Sequence, residues 1–211
     1  MEDLHFFNPL QDIAKHTTVL PHWEQSRATY FVTFRLADAL PQEKLDRWSR
    51  ARDAWLAANP TPRTPAQERE YHERFSITLE RWLDQGSGSC LLKAPGLAQV
   101  VSEALLHFHR ERCLQHSFVI MPNHVHVLFT PLGDWQLPQL LHSWKSFTAH
   151  AIQKHLGQSG EVWQRDYFDR IIRDRAHFHN CVRYMRKNPL KAKLKLDQYR
   201  LFESEWVKDL G

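Results

Sequence analysis

Cysteine is scarce in this sequence, and long apolar runs are missing from it. The 211 residues include only three cysteines, Cys90, Cys113 and Cys181, which are widely spaced and odd in number. This pattern argues against a disulfide framework and against a cysteine-rich zinc site. No stretch is apolar and long enough to span a bilayer, so no membrane partner is expected. The first residues lack the basic and apolar parts of a secretory signal, which predicts a cytoplasmic protein.

Positive charge is concentrated near the C-terminal end. The formal net charge of the chain is only +4, which alone is weak evidence for a nucleic-acid partner. Residues 161–193, however, hold nine basic residues against four acidic ones, interleaved with Trp163, Tyr167, Phe168 and Tyr184. Phosphates and bases suit such a surface. A solvated basic face without a ligand fits this one feature equally well.

The hydrophobic pattern predicts an α+β fold. Strands are expected over residues 29–36, 117–121, 124–130 and 162–172, and helices over 97–112, 137–156 and 176–188, the last ending before Pro189. This order fits a ferredoxin-like antiparallel sheet with helices. Residues 42–95 are highly charged and read as a helical insertion, and residues 189–211 as a C-terminal basic tail. We expect the whole chain, 1–211, to form one domain.

A His-x-His spacing occurs three times, at His107/His109, His124/His126 and His177/His179. Helical residues two apart point away from each other, whereas strand residues two apart share a face. Because only His124 and His126 lie in a strand pattern, only they are expected to converge on one metal ion. A pair of surface or hydrogen-bonded histidines is an equally good interpretation of the spacing alone.

The last predicted helix supplies candidates for a nucleophile and for a third ligand. Tyr184 and Asn188 are four residues apart, so they are neighbours on one helical face. Their alternative roles are packing for Tyr184 and a helix cap for Asn188. Tyr167 is a competing nucleophile, but its strand-like context favours packing or base stacking. A phenol with a pKa near 10 needs electrostatic help to attack a phosphate, and a divalent cation supplies it. An amide oxygen beside two imidazoles favours Mg²⁺ or Mn²⁺ over a structural zinc.

Two motifs carry a resemblance to a known family, MPNHVHVLF at residues 121–129 and YMRKNPLKAKL at residues 184–194. In these two motifs the chain resembles the HUH single-tyrosine transposases, and more closely the REP-associated tyrosine transposases. Further support comes from three segments in the right order, LPHWEQSRATYFVTFRLADALP at 20–41, WKSFTA at 144–149 and WQRDYFDRIIRD at 163–174. Together they cover nearly the whole chain apart from the insertion and the last residues.

The resemblance implies a fold, a reaction and a partner. It implies an HUH endonuclease domain in which His124 and His126 bind the metal, Asn188 completes the site, and Tyr184 becomes joined to a DNA 5′ phosphate. Single-stranded DNA with hairpin repeats is the implied partner, and the protein is expected to be nucleoid-associated, as a monomer or a homodimer. The expected DNA contacts are Lys145, Trp163, Arg165, Arg170, Arg173 and Lys187. Ordinary surface charge or core packing is the alternative role of each.

Two other functions fit parts of the sequence. A hairpin-DNA binding protein or regulator without cleavage activity would share the basic surface, although it would not need both the histidine pair and the tyrosine. A replication or conjugation initiator would share the HUH fold, although the larger size and helicase regions of such proteins are not seen here. The sequence therefore favours a metal-dependent endonuclease and strand transferase.

Overall fold

The structure is a computed structural model that describes residues 4–12, 14–17, 21–60 and 62–210. Residue 20, where the segment LPHWEQSRATYFVTFRLADALP begins, lies outside the described residues. The first three residues of the expected single domain also lie outside them. The organisation of residues 1–211 as one domain therefore stays a prediction.

Seven strands and seven α-helices follow one another along the described chain. The strands are β1 (Ala14–Thr17), β2 (Pro21–Glu24), β3 (Tyr30–Arg35), β4 (Cys113–Ile120), β5 (His124–Pro131), β6 (Phe168–Ile171) and β7 (Arg200–Glu203). The helices are α1 (Gln42–Ala58), α2 (Pro65–Tyr71), α3 (Thr78–Asp84), α4 (Pro95–His107), α5 (Leu137–Leu156), α6 (Arg175–Lys191) and α7 (Glu205–Lys208). A π-helical segment, His72–Ile77, joins α2 to α3, and a 3₁₀ turn, Leu91–Lys93, precedes α4. No helix in the described part is both long enough and apolar enough to cross a membrane.

Five strands form one antiparallel sheet in the order β6-β3-β5-β4-β7, while β1 and β2 pair separately. In a ferredoxin-like β-α-β-β-α-β unit, the strands lie side by side in the order fourth, first, third, second. Strands β6, β3, β5 and β4 lie in this same order, because they are the fourth, first, third and second of these four strands along the chain. The antiparallel α+β fold expected from the sequence is therefore confirmed. Strand β7 extends this sheet beyond β4.

The two faces of the sheet pack against different helices. Val125 and Val127 of β5 lie in the larger core with α4 and α5, where Trp144 contacts Phe129 at 5.0 Å between ring centroids. Leu128 lies in a second core beneath α6. Because successive strand residues alternate between faces, His124 and His126 share the α6 side with Leu128. The pattern of alternation thus places both imidazoles under α6.

Several element boundaries differ from the sequence-based expectation: α4 ends at His107 rather than at residue 112, and β4 begins at Cys113 rather than at residue 117. Helix α6 was expected to end before Pro189, yet it includes this proline and ends at Lys191. Proline lacks an N–H donor and its ring crowds the carbonyl group four residues earlier, and the helix continues for only two residues beyond it. The strand expected over residues 162–172 is shorter, since only Phe168–Ile171 pairs as a strand and Trp163 adds a single bridge to Leu36.

The last residues of the chain, expected as a basic tail, are anchored to the sheet and to α6. Strand β7 pairs with β4, and Arg186 of α6 forms an ion pair with Glu203 at 2.8 Å. The same guanidinium donates to the carbonyl oxygens of Val207 and Leu210. Sequence composition indicated charge in this segment but not these long-range contacts.

The insertion returns to the sheet through a tight loop at Gly88. Gly88 has a φ of +88°, and a Cβ atom there would lie 2.5 Å from the carbonyl oxygen of Asp38. We expect Gly88→Ala to lower the free energy of unfolding by about 2–4 kcal/mol, because backbone strain and a backbone clash add together. Chemical denaturation would measure the change.

Gly86→Ala is the matched control for Gly88→Ala. Gly86 also has a positive φ, +67°, but a Cβ there would meet nothing within 4 Å. Its replacement should therefore cost only the conformational strain, about 1 kcal/mol. Equal losses in the two variants would show that the clash with Asp38 does not contribute.

Candidate active site

Strand β5 brings the two predicted histidines together. The Nε2 atoms of His124 and His126 lie 3.0 Å apart, and the two residues are 1% and 0% exposed. Among the other two spacings, His177 and His179 lie in α6, and His107 ends α4 with His109 beyond it. The spacing that lies on a strand is therefore the one whose rings converge.

The Nδ1 atom of each imidazole, on the far side of the ring from Nε2, contacts a polar neighbour. Nδ1 of His124 lies 2.7 Å from Oδ1 of Asn123, and Nδ1 of His126 lies 2.7 Å from Oγ1 of Thr33. The His126 ring also stacks on Phe31, with centroids 5.4 Å apart. Both rings are thus held on their Nδ1 sides while their Nε2 atoms face the same point. Neither Asn123 nor Thr33 was singled out from the sequence.

Helix α6 adds Tyr184 and Asn188 to this point. The hydroxyl of Tyr184 lies 3.4 Å from Nε2 of His126, and Nδ2 of Asn188 lies 3.1 Å from the same atom. The helix is placed by a cap at its start, where the Asp174 side chain accepts from the His177 amide, and by apolar residues that pack on the sheet. The four-residue spacing predicted that Tyr184 and Asn188 would share a face, and the structure places both beside the histidines.

The donor set fits a divalent cation. Oδ1 of Asn188 is buried and makes no hydrogen bond to any described residue, although Asn188 is 0% exposed. An unpartnered buried amide oxygen is costly, and a cation would satisfy it. Ligands at right angles around a cation with bonds of about 2.1 Å lie about 3.0 Å apart, which matches the separation of the two Nε2 atoms. The described residues include no cluster of three His, Cys, Asp or Glu side chains suited to a metal.

Burial keeps both imidazoles neutral at physiological pH. Burial, with a smaller effect of the Arg35 charge, lowers the pKa of His124 to about 3. The pKa of His126 is also far below its usual value, first because of burial and then because of His124 and Arg170. A neutral imidazole keeps a lone pair on one ring nitrogen, which is the form that binds a metal.

Arg35 places a buried positive charge beside the histidines. It lies opposite His124 in the β3–β5 register and is 2% exposed. Its guanidinium packs 5.0 Å from the centroid of the Phe168 ring, and no described residue accepts a hydrogen bond from its Nε or Nη1. Burial lowers the pKa of Arg35 to about 10, opposed by the charge of Asp166, so it stays charged at neutral pH. Arg35 was not expected at the site from the sequence, because only the strand register brings it there.

The six expected DNA contacts fall into different environments. Trp163 is 6% exposed and packs against Phe34, while its Nε1 donates to Thr148, so a role in contacting DNA is not supported. The Lys145 ammonium donates to the carbonyl oxygens of Gln164 and Arg165 at 2.7 Å each. Lys145 thus holds the segment before β6 rather than pointing freely to solvent. The remaining four are exposed or half-buried: Arg165, Arg173 and Lys187 are exposed, and Arg170 is half-buried on β6.

Tyr167 is poorly placed to be the nucleophile. It is 9% exposed and belongs to the larger core, on the opposite side of the sheet from α6. Burial and nearby carboxylates raise its pKa well above the ordinary value. Of the two roles that the sequence favoured for this residue, packing and base stacking, the structure shows packing.

Comparison with known proteins supports the resemblance seen in the motifs. Residues 97–188, somewhat under half of the chain, match the family model described as "Transposase IS200 like". The match includes both histidines and ends at Asn188, and it confirms the resemblance to this class of transposase. No curated protein matches the chain. A solved REP-associated tyrosine transposase bound to a REP hairpin is similar with 17% identity and a TM-score of 0.47, covering 81% of this chain and 71% of that one.

Proposed function

We propose that this protein is a metal-dependent single-strand DNA endonuclease and strand transferase that works through a 5′-phosphotyrosine intermediate at Tyr184. One observation carries the proposal. Nε2 of His126 lies within 3.0 to 3.4 Å of Nε2 of His124, Nδ2 of Asn188 and the Tyr184 hydroxyl. A nucleophile thus lies beside a cation-binding donor set. The family match over residues 97–188 supports DNA as the substrate.

His124, His126 and Asn188 would hold the cation, for which we propose Mg²⁺ or Mn²⁺. When bound, such a cation supplies positive charge that offsets the negative charge developing on the scissile phosphate. Residues of the chain position the tyrosine and add positive charge. Phe31 packs edge-on against the Tyr184 ring with centroids 6.0 Å apart, which holds the phenol beside His126. The positive charge of Arg35 near His124 further favours an anionic group at this place.

The proposed reaction conserves the energy of the phosphodiester bond. The phenol oxygen of Tyr184 forms a bond to phosphorus as the bond from phosphorus to the 3′ oxygen breaks. The net transfer moves one proton from the phenol to the 3′ oxygen, leaving a free 3′ hydroxyl and a 5′-phosphotyrosine. A DNA 3′ hydroxyl can then attack the same phosphorus and release the tyrosine. Strand joining therefore requires no nucleotide cofactor.

A denaturing-gel experiment tests this function. The protein is incubated with labelled single-stranded DNA carrying a palindromic repeat hairpin and flanking sequence, with Mg²⁺, Mn²⁺ or chelator. We expect a protein–DNA adduct that survives denaturation and forms only with metal. Tight hairpin binding without an adduct under any metal would instead support the non-cleaving regulator. Sedimentation of the complex would test whether a monomer or a homodimer binds.

Exposed basic residues near the site should contribute salt-dependent affinity. Lys187 is exposed on α6, three residues after Tyr184. If it contacts a phosphate, Lys187→Ala should reduce the slope of log K against log salt concentration by about 0.7 for a single strand. Fluorescence anisotropy with labelled hairpin DNA between low and moderate salt would measure it.

Arg50→Ala provides the matched control, because Arg50 is an exposed basic residue of α1 in the insertion. This variant removes one charge of the same sign at a distance along the chain from the site. Its salt slope should equal that of the wild type. Identical slopes for all three proteins would exclude Lys187 from the phosphate contacts.

A further inference from the structure

Asn123 occupies a position between the insertion and the candidate metal site. It precedes His124 and is 1% exposed. Its Nδ2 lies 3.2 Å from the carbonyl oxygen of Leu83 in α3 and 3.0 Å from that of Ser87. Its Oδ1 lies 2.7 Å from Nδ1 of His124. One side chain therefore links two carbonyl groups of the insertion to a predicted metal ligand.

The chemistry of these contacts fixes their direction. Backbone carbonyl oxygens only accept hydrogen bonds, so the atom of Asn123 that faces Leu83 and Ser87 must be the amide nitrogen. The amide oxygen must then face His124. Because that oxygen only accepts, the proton between the two side chains must belong to Nδ1 of His124. A neutral imidazole protonated on Nδ1 has its lone pair on Nε2, the atom that faces His126.

We infer that Asn123 is a positioning residue through which the insertion sets the tautomer and orientation of His124. This inference rests on the proposed function in that His124 is taken as a metal ligand. The insertion thus acts as part of the frame of the site. An oxygen that accepts a hydrogen bond from the far nitrogen of a metal-binding histidine typically raises metal affinity, because it orients the ring and increases its basicity.

Other hydrogen bonds hold the end of the insertion, near Ser87, without involving His124. The Leu92 amide donates to the carbonyl oxygen of Pro122, and the Ser89 amide donates to Oδ2 of Asp38 at 2.6 Å. Asp38→Ala therefore weakens the attachment of the insertion while leaving the Asn123–His124 contact in place. It separates a general loosening of the loop from a loss of the polar link.

The inference is tested first on the metal-free protein by nitrogen-15 NMR of its histidines. Long-range proton–nitrogen correlations distinguish a ring protonated on Nδ1 from one protonated on Nε2. We expect the Nδ1-protonated form of His124 in the wild type and in Asp38→Ala. In Asn123→Ala we expect a mixture or the other form. An Nε2-protonated His124 in the wild type would overturn the inference without any variant.

Titration with Mn²⁺ alone, followed by electron paramagnetic resonance, gives the second readout. Asn123→Ala should weaken Mn²⁺ binding roughly 10- to 100-fold. Asn123→Asp keeps an acceptor oxygen for Nδ1 and should therefore keep the tautomer, but it cannot donate to Leu83 and Ser87, so it should recover only part of the affinity. Equal losses in Asn123→Ala and Asp38→Ala, or full Mn²⁺ affinity in Asn123→Asp, would show that the link to the insertion does not position His124 and would overturn the inference. Neither readout uses DNA, so the inference can hold even if no phosphotyrosine adduct forms.

Discussion

Tyr184→Phe is expected to abolish the covalent adduct with hairpin DNA, lowering its rate of formation at least about 1,000-fold. The substitution removes one oxygen atom, which is the atom proposed to bond to phosphorus. That oxygen lies 3.4 Å from Nε2 of His126, whereas the ring packs on Phe31 and His126. Because phenylalanine preserves the ring contacts, hairpin affinity and thermal stability should change little. Adduct yield on denaturing gels and affinity by anisotropy would be measured on the same samples.

Two other tyrosines serve as controls for this experiment. Tyr199→Phe changes a half-buried tyrosine after α6 and should leave adduct formation unchanged. Tyr167→Phe tests the competing nucleophile in the larger core, and it too should retain the adduct. An adduct that persists in Tyr184→Phe but disappears in Tyr167→Phe would move the nucleophile to the other side of the sheet.

Local sequence signals predicted much of the fold. Helix α5 begins and ends at the residues expected, Leu137 and Leu156, since apolar periodicity defines its length. Gly157 stops it with a φ of 61°, a left-handed conformation that glycine adopts without strain. Strands β3 and β5 also match, because aromatic and β-branched residues are dense in both. The paired strands β1 and β2 and the edge strand β7 were not predicted, since each has only four residues and β7 pairs with the distant strand β4.

The parts of the candidate site that sequence could predict are those with local spacing. His124 and His126 are two residues apart on a strand, and Tyr184 and Asn188 are four apart on a helix. Each spacing fixes a shared face within one element. The histidine face of the strand and the tyrosine face of the helix meet only because α6 packs on the sheet. The family resemblance supplied this step, and the distances to His126 now give it a geometry.

Residues whose position depends on register or burial were missed or misassigned. Thr33 and Arg35 reach the site because β3 pairs with β5 at His126 and His124. Trp163 was expected to contact DNA because it lies among basic residues, but its indole is in the core. Local composition shows which residues are neighbours along the chain. The exposure of a side chain depends on the residues that pack against it, and many of these are distant along the chain. The same limit applied to Asn123, whose partners Leu83 and Ser87 lie 40 and 36 residues away.

His126→Ala is expected to have the second large effect, on metal binding as well as on reaction. Its Nε2 contacts His124, Asn188 and Tyr184, so its loss removes a proposed metal ligand and the contact that would align the proposed nucleophile. We expect Mn²⁺ affinity to fall at least about 100-fold and adduct formation at least about 1,000-fold, the latter corresponding to about 4 kcal/mol of lost transition-state stabilisation. Calorimetric Mn²⁺ titration and the denaturing gel would measure the two losses.

A fully buried histidine also contributes to packing, so stability must be followed in the same variant. His126 is 0% exposed, and truncation to alanine should lower the free energy of unfolding by about 2–4 kcal/mol. Measurements well below the melting temperature, with circular dichroism confirming the fold, separate this loss from the loss of metal binding. His179→Ala is the matched comparison, because His179 belongs to a pair with identical spacing in α6 and should leave Mn²⁺ affinity unchanged. If folded His126→Ala bound Mn²⁺ as tightly as His179→Ala, the metal would have to lie elsewhere, and the histidine strand would be a packing feature alone.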